Sequence, residues 1–483
     1  MKRFKIITII FFSFLVSVSC DSDFEEINQD PNNPLAVPAD LLISGIARTA
    51  QNTSYSTFVG GDMGACWAQH FAKVQYNDEA RYIPRQGVIS STWNRFYAGS
   101  NTTGNTGVIS DADAMYNIAE ASGNNNMMGV ALTLKAYGFA FLTDVYGDIP
   151  FSEAITADEG NIAPAYDSQA DVYTGIFAML DNAIALLGTG GAINATNDVV
   201  YGGNAGLWKK FASSLKFRAL MRVSGKMDVS SQLQALVTAG NLFASNDEDA
   251  KLVYLGADPS ANPLYESIVY GTRGEWKINS AIVDRLADDH DPRLAVYAGL
   301  NENDEYRGKP SGYTDVPNDD YNYTNVSPLG DFYLAPELPG FFMSNSELKF
   351  LMAEAVTKNY TSGDANALYI EAMNASLDFN GVSSGDKAAF MNLVALSGTQ
   401  ATALQQIAEQ NWIALFSQGV EAWNEWRRTG YPALSPAAQA DLNEIPSRYN
   451  YPTSEGSINR ANYEAAVSAQ GADNLTTPVW WMN

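Results

Sequence analysis

The sequence predicts a mostly α-helical protein that forms one large domain with long irregular loops. Apolar residues recur about every 3.6 positions in several stretches, which is the spacing of a helix with one buried face. Hydrophobic residues make up 46% and aromatic residues 12% of the 483 residues, a composition that favours a packed core over disorder. No linker-like stretch divides the chain, so we expect a single domain over residues 39–483.

The helical spacing is clearest in residues 127–146, 171–187, 208–223, 346–358, 365–379 and 401–428, the last predicted as one long helix. Small residues such as Ala353 and Ala372 stand at positions of close approach, so the pair 346–358 and 365–379 resembles a TPR hairpin. Ser362 or Asp364 is suited to cap the second helix of that pair. The chain lacks the strict repeat of about 34 residues that defines TPR arrays. We therefore expect a TPR-like scaffold without a regular repeat.

Three long stretches between the helices show no periodicity, namely residues 50–110, 250–275 and 300–345. They are rich in Gly, Asn, Asp, Pro and Tyr. Loops of this length in a compact domain are usually functional or disordered, and disordered segments contain few aromatic residues. We therefore expect ordered, functional loops.

The first nineteen residues have the pattern of a signal peptide. A basic region at residues 2–5 precedes an apolar run at residues 6–18, which is too short to span a bilayer. Cys20 stands directly after this run, where a lipoprotein signal peptide is cleaved and its cysteine acylated. We expect a lipid anchor on Cys20 and a tether over residues 20–38, which are acidic and rich in Asn and Pro. The alternative is an ordinary secretory signal with an incidental cysteine.

The chain is strongly acidic. It has 54 acidic and 29 basic residues and a formal net charge of −25, which argues against nucleic acid as a partner. Once Cys20 is acylated, only Cys66 remains, so no intrachain disulfide can form. Beyond the signal peptide we find no apolar stretch long enough to span a membrane.

The sequence offers little support for catalysis or for a cofactor. The two histidines, His70 and His290, are far apart, and no G-x-S-x-G or H-E-x-x-H motif accompanies them. Cys66 has the neighbours of a buried structural residue. Residues 301–305 provide oxygen atoms for Ca²⁺ but lack the EF-hand pattern, so a solvated loop is the preferred interpretation. We predict no enzyme, no cofactor and no metal site.

Several segments along the chain resemble the SusD/RagB family of surface lipoproteins, and its SusD-like subgroup in particular. The segments are Asn28–Pro34, Asp144–Phe151 with Glu153, Pro164 and Tyr166–Asp167, Trp208–Arg218, Asp291–Leu294, Ala353–Ala355, Gly419–Trp423, Arg427–Pro432, Ile445–Arg448, Tyr451–Pro452, Glu455, Asn459 and Trp480–Trp481. Each is short, and the resemblance rests on their order and coverage. Within them we expect Arg218, Arg427, Arg428 and Arg448 to be structural, because guanidinium groups commonly tie carboxylates and carbonyls together.

The resemblance implies a TPR-like scaffold with ligand-binding loops and a function in nutrient capture. Members of the family lie on the outer face of the outer membrane, over a TonB-dependent transporter of the SusC type. They bind oligosaccharides, or in some members peptides, and deliver them to that transporter. The acidic residues 21–26 also resemble the lipoprotein export signal of bacteria that use such pairs. Two other classes stay open from the sequence: a surface glycosidase or peptidase, and a purely structural TPR-like adaptor.

Carbohydrate sites combine flat aromatic side chains with nearby amides and carboxylates, because sugar rings have apolar faces and polar edges. The long loops contain this mixture. The candidate ligand-binding residues are Trp93, Tyr97, Asn101, Trp276, Tyr313, Tyr321 and Tyr323. The alternative for each aromatic residue is that it anchors its loop to the scaffold.

Overall fold

The computed structural model describes residues 38–99, 106–313 and 320–482, with the backbone alone for Asp158. The predicted signal peptide, Cys20, almost all of the tether and Asn101 lie outside the described residues. The expectation of a mostly helical, TPR-like fold is confirmed. The helices are α1 Leu41–Ser54, α2 Gln86–Tyr97, α3 Val108–Ala121, α4 Asn125–Tyr146, α5 Gln169–Leu186, α6 Ala205–Val223, α7 Ser230–Ala239, α8 Ser280–Asp288, α9 Leu294–Tyr297, α10 Asn345–Thr357, α11 Ala365–Phe379, α12 Ser384–Met391, α13 Gln400–Ala414, α14 Gly419–Thr429, α15 Glu455–Ile458 and α16 Arg460–Gln470.

Shorter elements complete the described chain. A π-helical segment spans Thr57–Ala65, another spans Tyr265–Tyr270, and 3-10 turns lie at Glu79–Arg81, Ala157–Glu159, Asn246–Glu248 and Asp331–Leu334. Four short strands form two antiparallel pairs: β1 Phe71–Lys73 with β3 Trp276–Ile278, and β2 Ala250–Leu252 with β4 Gly340–Met343.

Consecutive helices pack as hairpins in both halves of the molecule. Helix α4 packs against α3 and α5, α5 packs against α6, and α10 packs against α11. Polar side chains define where these helices begin, because they accept hydrogen bonds from otherwise unpaired backbone N–H groups. Ser168 caps α5 in this way, and Ser344 caps α10. Asp364, one of the two predicted caps, accepts from the backbone N–H of Ala367 and begins α11.

The buried core runs through almost the whole described chain, from Ile43 in α1 to Trp481 near the C-terminus. By length and composition, α4 is apolar enough to cross a membrane, contrary to our expectation, but it is almost entirely buried inside the protein. Its apolar composition is therefore that of a core helix.

Two secondary-structure predictions were wrong. The stretch 50–110 contains helix α2, which was missed because Ile89, Trp93 and Phe96 are spaced as one buried helix face that polar neighbours conceal. The stretch 401–428 is two helices, α13 and α14, separated by residues 415–418. Helix α14 begins where Gly419 meets the π-helical segment: a Cβ on Gly419 would lie 2.0 Å from the carbonyl oxygen of Gly60.

Candidate ligand-binding site

The structure divides the predicted site residues between two places. Trp93 and Tyr97 lie on α2, in the buried core, and not on a loop. Trp276 lies in β3, and the three tyrosines Tyr313, Tyr321 and Tyr323 lie on the segment between α9 and β4. The second place therefore brings four of the candidates to one region.

Trp93 and Tyr97 fasten α2 to the scaffold. The ring of Trp93 contacts Tyr146 edge-on, with centroids 5.0 Å apart, and lies 6.1 Å from Tyr451. The hydroxyl of Tyr97 donates to the carbonyl of Pro150 at 2.6 Å. In this conformation neither ring is open to a ligand. Beside Tyr451, an open pocket of about 380 Å³ is lined by Gln86, Asn450, Tyr451, Pro452, Thr453, Gly456, Tyr463 and Asp473.

Trp276 is buried beneath a layer of charges. It is 2% exposed, and its indole N–H donates to the Oδ1 of Asp62 at 2.8 Å. The Lys73 ammonium lies 5.0 Å and the Arg273 guanidinium 4.9 Å from the indole centre, within cation–π range. The strand pairing places Lys73 directly opposite Trp276. Trp276 therefore positions charged side chains and does not itself form a surface.

The buried carboxyl of Asp62 is held in a small ion network. Lys73 lies 3.1 Å from it and Arg85 lies 3.6 Å from it, and both cations also pair with Glu79. Burial raises the pKa of Asp62 to about 6, despite the opposing charge of Lys73. At the edge of this network, Arg85 lies 4.7 Å and Arg273 5.7 Å from the ring centre of Phe58. We call this group of charged side chains around Trp276, namely Asp62, Lys73, Glu79, Arg85 and Arg273, the polar floor.

Next to this floor lies a surface of tyrosines and cations, which we call the tyrosine surface and define as Lys277, Arg307, Tyr313, Tyr321 and Tyr323. Tyr323 is 41% exposed, and its ring lies 5.7 Å from the Lys277 ammonium. Arg307 lies 5.1 Å from the ring of Tyr321, which packs on Tyr313 with centroids 5.4 Å apart. Such an arrangement presents aromatic faces beside hydrogen-bond donors.

The orientation of Tyr323 is fixed by a residue that the sequence did not single out. Its hydroxyl donates to the side-chain oxygen of Gln75 at 2.7 Å. The neighbouring Tyr76 is 57% exposed and has a backbone φ of 56°, so it is held in a left-handed conformation. The run Val74–Asn77, with one aromatic and two amide side chains, was a visible signal of a second contributing loop.

The other residues that were considered for catalysis or metal binding have structural surroundings. Burial lowers the pKa of His70 to about 3, and its ring packs between Trp412 and Phe416. Burial also raises the pKa of the Cys66 thiol. The Asn301 side chain closes its own turn by accepting from the N–H groups of Asn303 and Glu305. Within the described ranges, no group of three or more His, Cys, Asp or Glu side chains is placed to hold a metal ion.

The sequence matches, over residues 31–452, the SusD-like family model described as starch-binding and associating with the outer membrane. The chain belongs to the SusD-like family. SusD-like proteins bind nutrients at the outer membrane, and this one is therefore a nutrient-binding protein associated with that membrane. No match was found among curated proteins.

Solved structures agree with this SusD-like assignment. A chitin-binding protein is 25% identical, with a TM-score of 0.79 over 91% of this chain and 99% of its own. A SusD homologue from Bacteroides fragilis is 24% identical, with a TM-score of 0.75 over 92% and 99%. A chitin-binding SusD homologue from Flavobacterium johnsoniae is 24% identical, with a TM-score of 0.73 over 92% and 97%.

The segments that resemble the SusD-like family meet in the interior of the scaffold. Arg428 pairs with Glu354, which joins α14 to α10. Arg427 donates to the carbonyls of Asp144 and Ser447, at 2.8 and 2.7 Å. These side chains hold the fold together, as predicted for Arg427 and Arg428.

Proposed function

We propose that this SusD-like protein captures oligosaccharides on the tyrosine surface and delivers them, without turnover, to a TonB-dependent transporter of the SusC type. In this proposal Cys20 carries the lipid anchor and the domain faces the cell exterior. The signal-peptide pattern before Cys20 supports the anchor, and membership of the SusD-like family supports the transporter. The two structural relatives described as chitin-binding support a carbohydrate ligand.

The observation that carries the ligand site is the exposed but fixed ring of Tyr323. A hydrogen bond to Gln75 and the Lys277 ammonium hold this ring in place before any ligand arrives. A preorganised aromatic ring binds a sugar face at a lower entropic cost than a mobile one. In the proposal Tyr313 and Tyr321 extend the platform, while Trp276 supports it from below. Trp93 and Tyr97 then support α2 and do not contact the ligand.

Ligand binding is tested by isothermal titration calorimetry with chitohexaose and maltoheptaose. We expect Tyr323→Ala to weaken binding about tenfold or more, because truncating a central aromatic contact removes most of its binding energy. Tyr360→Ala is the matched control, since Lys358 lies 5.9 Å from the Tyr360 ring on the hairpin of α10 and α11. Equal loss in both variants, or binding by Tyr323→Ala at the wild-type level, contradicts the site.

Delivery, anchoring and the absence of turnover have separate tests. We expect stable co-purification with the transporter from outer-membrane extracts, and labelling with palmitate that Cys20→Ser abolishes. Mass spectrometry of oligosaccharides incubated with the protein is expected to detect no shortened product. Product whose formation stops when one carboxylate is replaced would support a glycosidase instead. Transporter binding by a protein that binds no small ligand would support a structural adaptor.

A further inference from the structure

Two cations of the tyrosine surface, Lys277 and Arg307, have no carboxylate partner among the described residues. Among the described residues, neither Lys277 nor Arg307 lies within salt-bridge distance of an acidic side chain. The chain has 54 acidic residues against 29 basic ones, so acidic partners are abundant elsewhere. The lack of an acidic partner among the described residues is therefore a property of the tyrosine surface and does not follow from the composition of the chain.

Most other cations that lie over aromatic rings form salt bridges, and Lys309, 5.9 Å from the Tyr313 ring, donates to the carbonyls of Pro310 and Tyr313. Lys358, over Tyr360, lies 2.7 Å from the carboxylate of Glu354. Lys73, Arg273 and Arg448 form salt bridges in the same way. Arg427 has no carboxylate partner, but its guanidinium donates to three oxygen acceptors inside the protein.

Lys277 has neither a carboxylate partner nor a hydrogen-bond acceptor among the described residues. It is 7% exposed, and within the described part of the chain its ammonium donates no hydrogen bond to the protein. Burial alone lowers its pKa, with no opposing contribution from an acidic neighbour. A buried cation without a counter-charge is unfavourable, which makes an external anion a favourable partner. Among the described residues, the Arg307 guanidinium has one hydrogen bond, which is long, 3.4 Å from its Nη1 to the carbonyl of Asn325.

Backbone hydrogen bonds bring the segments that carry the two cations together. The N–H of Ile278 donates to the carbonyl of Ser327 at 3.3 Å, and the N–H of Ser327 donates to the carbonyl of Arg307 at 2.8 Å. Residue 327 therefore lies between the segments that carry Lys277 and Arg307. The rings beneath the cations, Tyr323 and Tyr321, are separated by one residue of the same loop.

We propose that the ligand is an acidic oligosaccharide, whose carboxylate or sulfate groups pair with the Lys277 ammonium and the Arg307 guanidinium while its sugar faces pack on the tyrosine rings. This inference rests on the proposed function and adds the charge of the ligand to it. Arginine binds planar oxyanions through paired N–H groups, and lysine binds them as a point charge. The surrounding acidic surface opposes non-specific anions, so binding requires the sugar contacts as well.

The test compares ligands that differ in charge alone. Tetragalacturonate and its full methyl ester form one pair, and a sulfated galactan tetrasaccharide and its desulfated form are the other. We expect each acidic sugar to bind about tenfold or more tightly than its neutral partner, since hydrogen bonds between charged groups are roughly twice as strong as neutral ones. A preference within one pair only identifies the oxyanion as carboxylate or sulfate.

Lys277→Met and Arg307→Gln are expected to remove this preference, so that each acidic sugar binds no more tightly than its neutral partner. Lys358→Met is the matched control and keeps the preference. The unfolding temperature checks the fold, and we expect Lys277→Met not to lower it, because among the described residues the ammonium has no carboxylate and no hydrogen-bond acceptor to lose. Equal binding of acidic and neutral sugars overturns the inference while the proposed function stands. Failure of all four sugars and of the chitin and starch probes overturns both.

Discussion

Replacing Arg428 by methionine removes the cation that lies between two buried carboxylates. The guanidinium donates to Glu354 through Nη1 at 2.8 Å, and to Glu425 through Nε at 2.9 Å and Nη2 at 2.7 Å. Glu354 is on α10, whereas Arg428 and Glu425 are on α14. Without the guanidinium, two negative charges face each other across the packed interface of these helices.

Two estimates of the loss in the free energy of unfolding are similar. Removing one partner of a buried ion pair costs about 3–5 kcal/mol. Burial acts to raise the pKa of Glu354, but the charges of Arg428 and Lys358 outweigh it and hold the pKa at about 2, against an ordinary value of 4.5. That depression corresponds to about 3 kcal/mol of stability, present above pH 4.5 and lost as the pH falls toward 2. Lys358 remains beside Glu354 in the variant, so we expect about 3 kcal/mol for Arg428→Met.

Urea unfolding followed by tryptophan fluorescence measures the loss at pH 7 and at pH 4. In the variant the pKa of Glu354 rises, so protonation at the lower pH relieves the repulsion and the deficit shrinks. Arg460→Met is the control, because Arg460 pairs with Glu464 on the exposed surface of α16, where solvent screens the interaction and leaves it a small contribution to stability. A deficit no larger than that of the control, or one that is the same at both pH values, refutes the reasoning.

Two further predictions concern the interior. Gly419→Ala places a Cβ 2.0 Å from the Gly60 carbonyl oxygen and is expected to lower the free energy of unfolding by about 3 kcal/mol, whereas Gly87→Ala, where a Cβ meets nothing within 4 Å, is expected to raise it by up to about 1 kcal/mol. Urea midpoints that shift in the same direction would contradict the close approach. Since burial lowers the pKa of His70 from 6.5 to about 3, stability is lost as the pH falls through this range, by up to about 5 kcal/mol, and His70→Phe is expected to flatten that part of the curve. Parallel wild-type and variant curves between pH 6.5 and 4 would contradict this prediction.

Helices α4 and α6 bury all the apolar residues from which they were predicted. In α4 the predicted apolar residues, Val130, Ala131, Leu134, Tyr137, Phe141, Leu142 and Val145, are all buried. Helix α2 was missed because its apolar residues stand among Ser, Thr, Asn and Arg. The break between α13 and α14 was missed because residues 415–418 contain neither Gly nor Pro, although Ser417 there has a positive φ of 70°.

The site was predictable only in part for a related reason. Loop composition identified Tyr313, Tyr321 and Tyr323 as candidates, and the structure places them together. Loop composition gave no indication that Gln75 and Lys277 flank Tyr323, because that proximity depends on the pairing of β1 with β3, which are about two hundred positions apart. Composition also gave no indication that Trp93 and Trp276 are buried, since a tryptophan among polar neighbours has the same sequence pattern whether it faces solvent or the core.

Contacts between the N-terminal and C-terminal parts of the described chain constrain the order in which the molecule can fold. The indole N–H of Trp412 donates to the carbonyl of Ala68, 344 positions earlier, and α14 packs against the π-helical segment Thr57–Ala65. Contacts of such long range form late, since the entropy of closing a long loop is paid before they are gained. The polar floor beside the tyrosine surface is therefore completed only after the last part of the chain is available. For a protein predicted to be exported, this topology delays a closed native state until translocation is nearly finished.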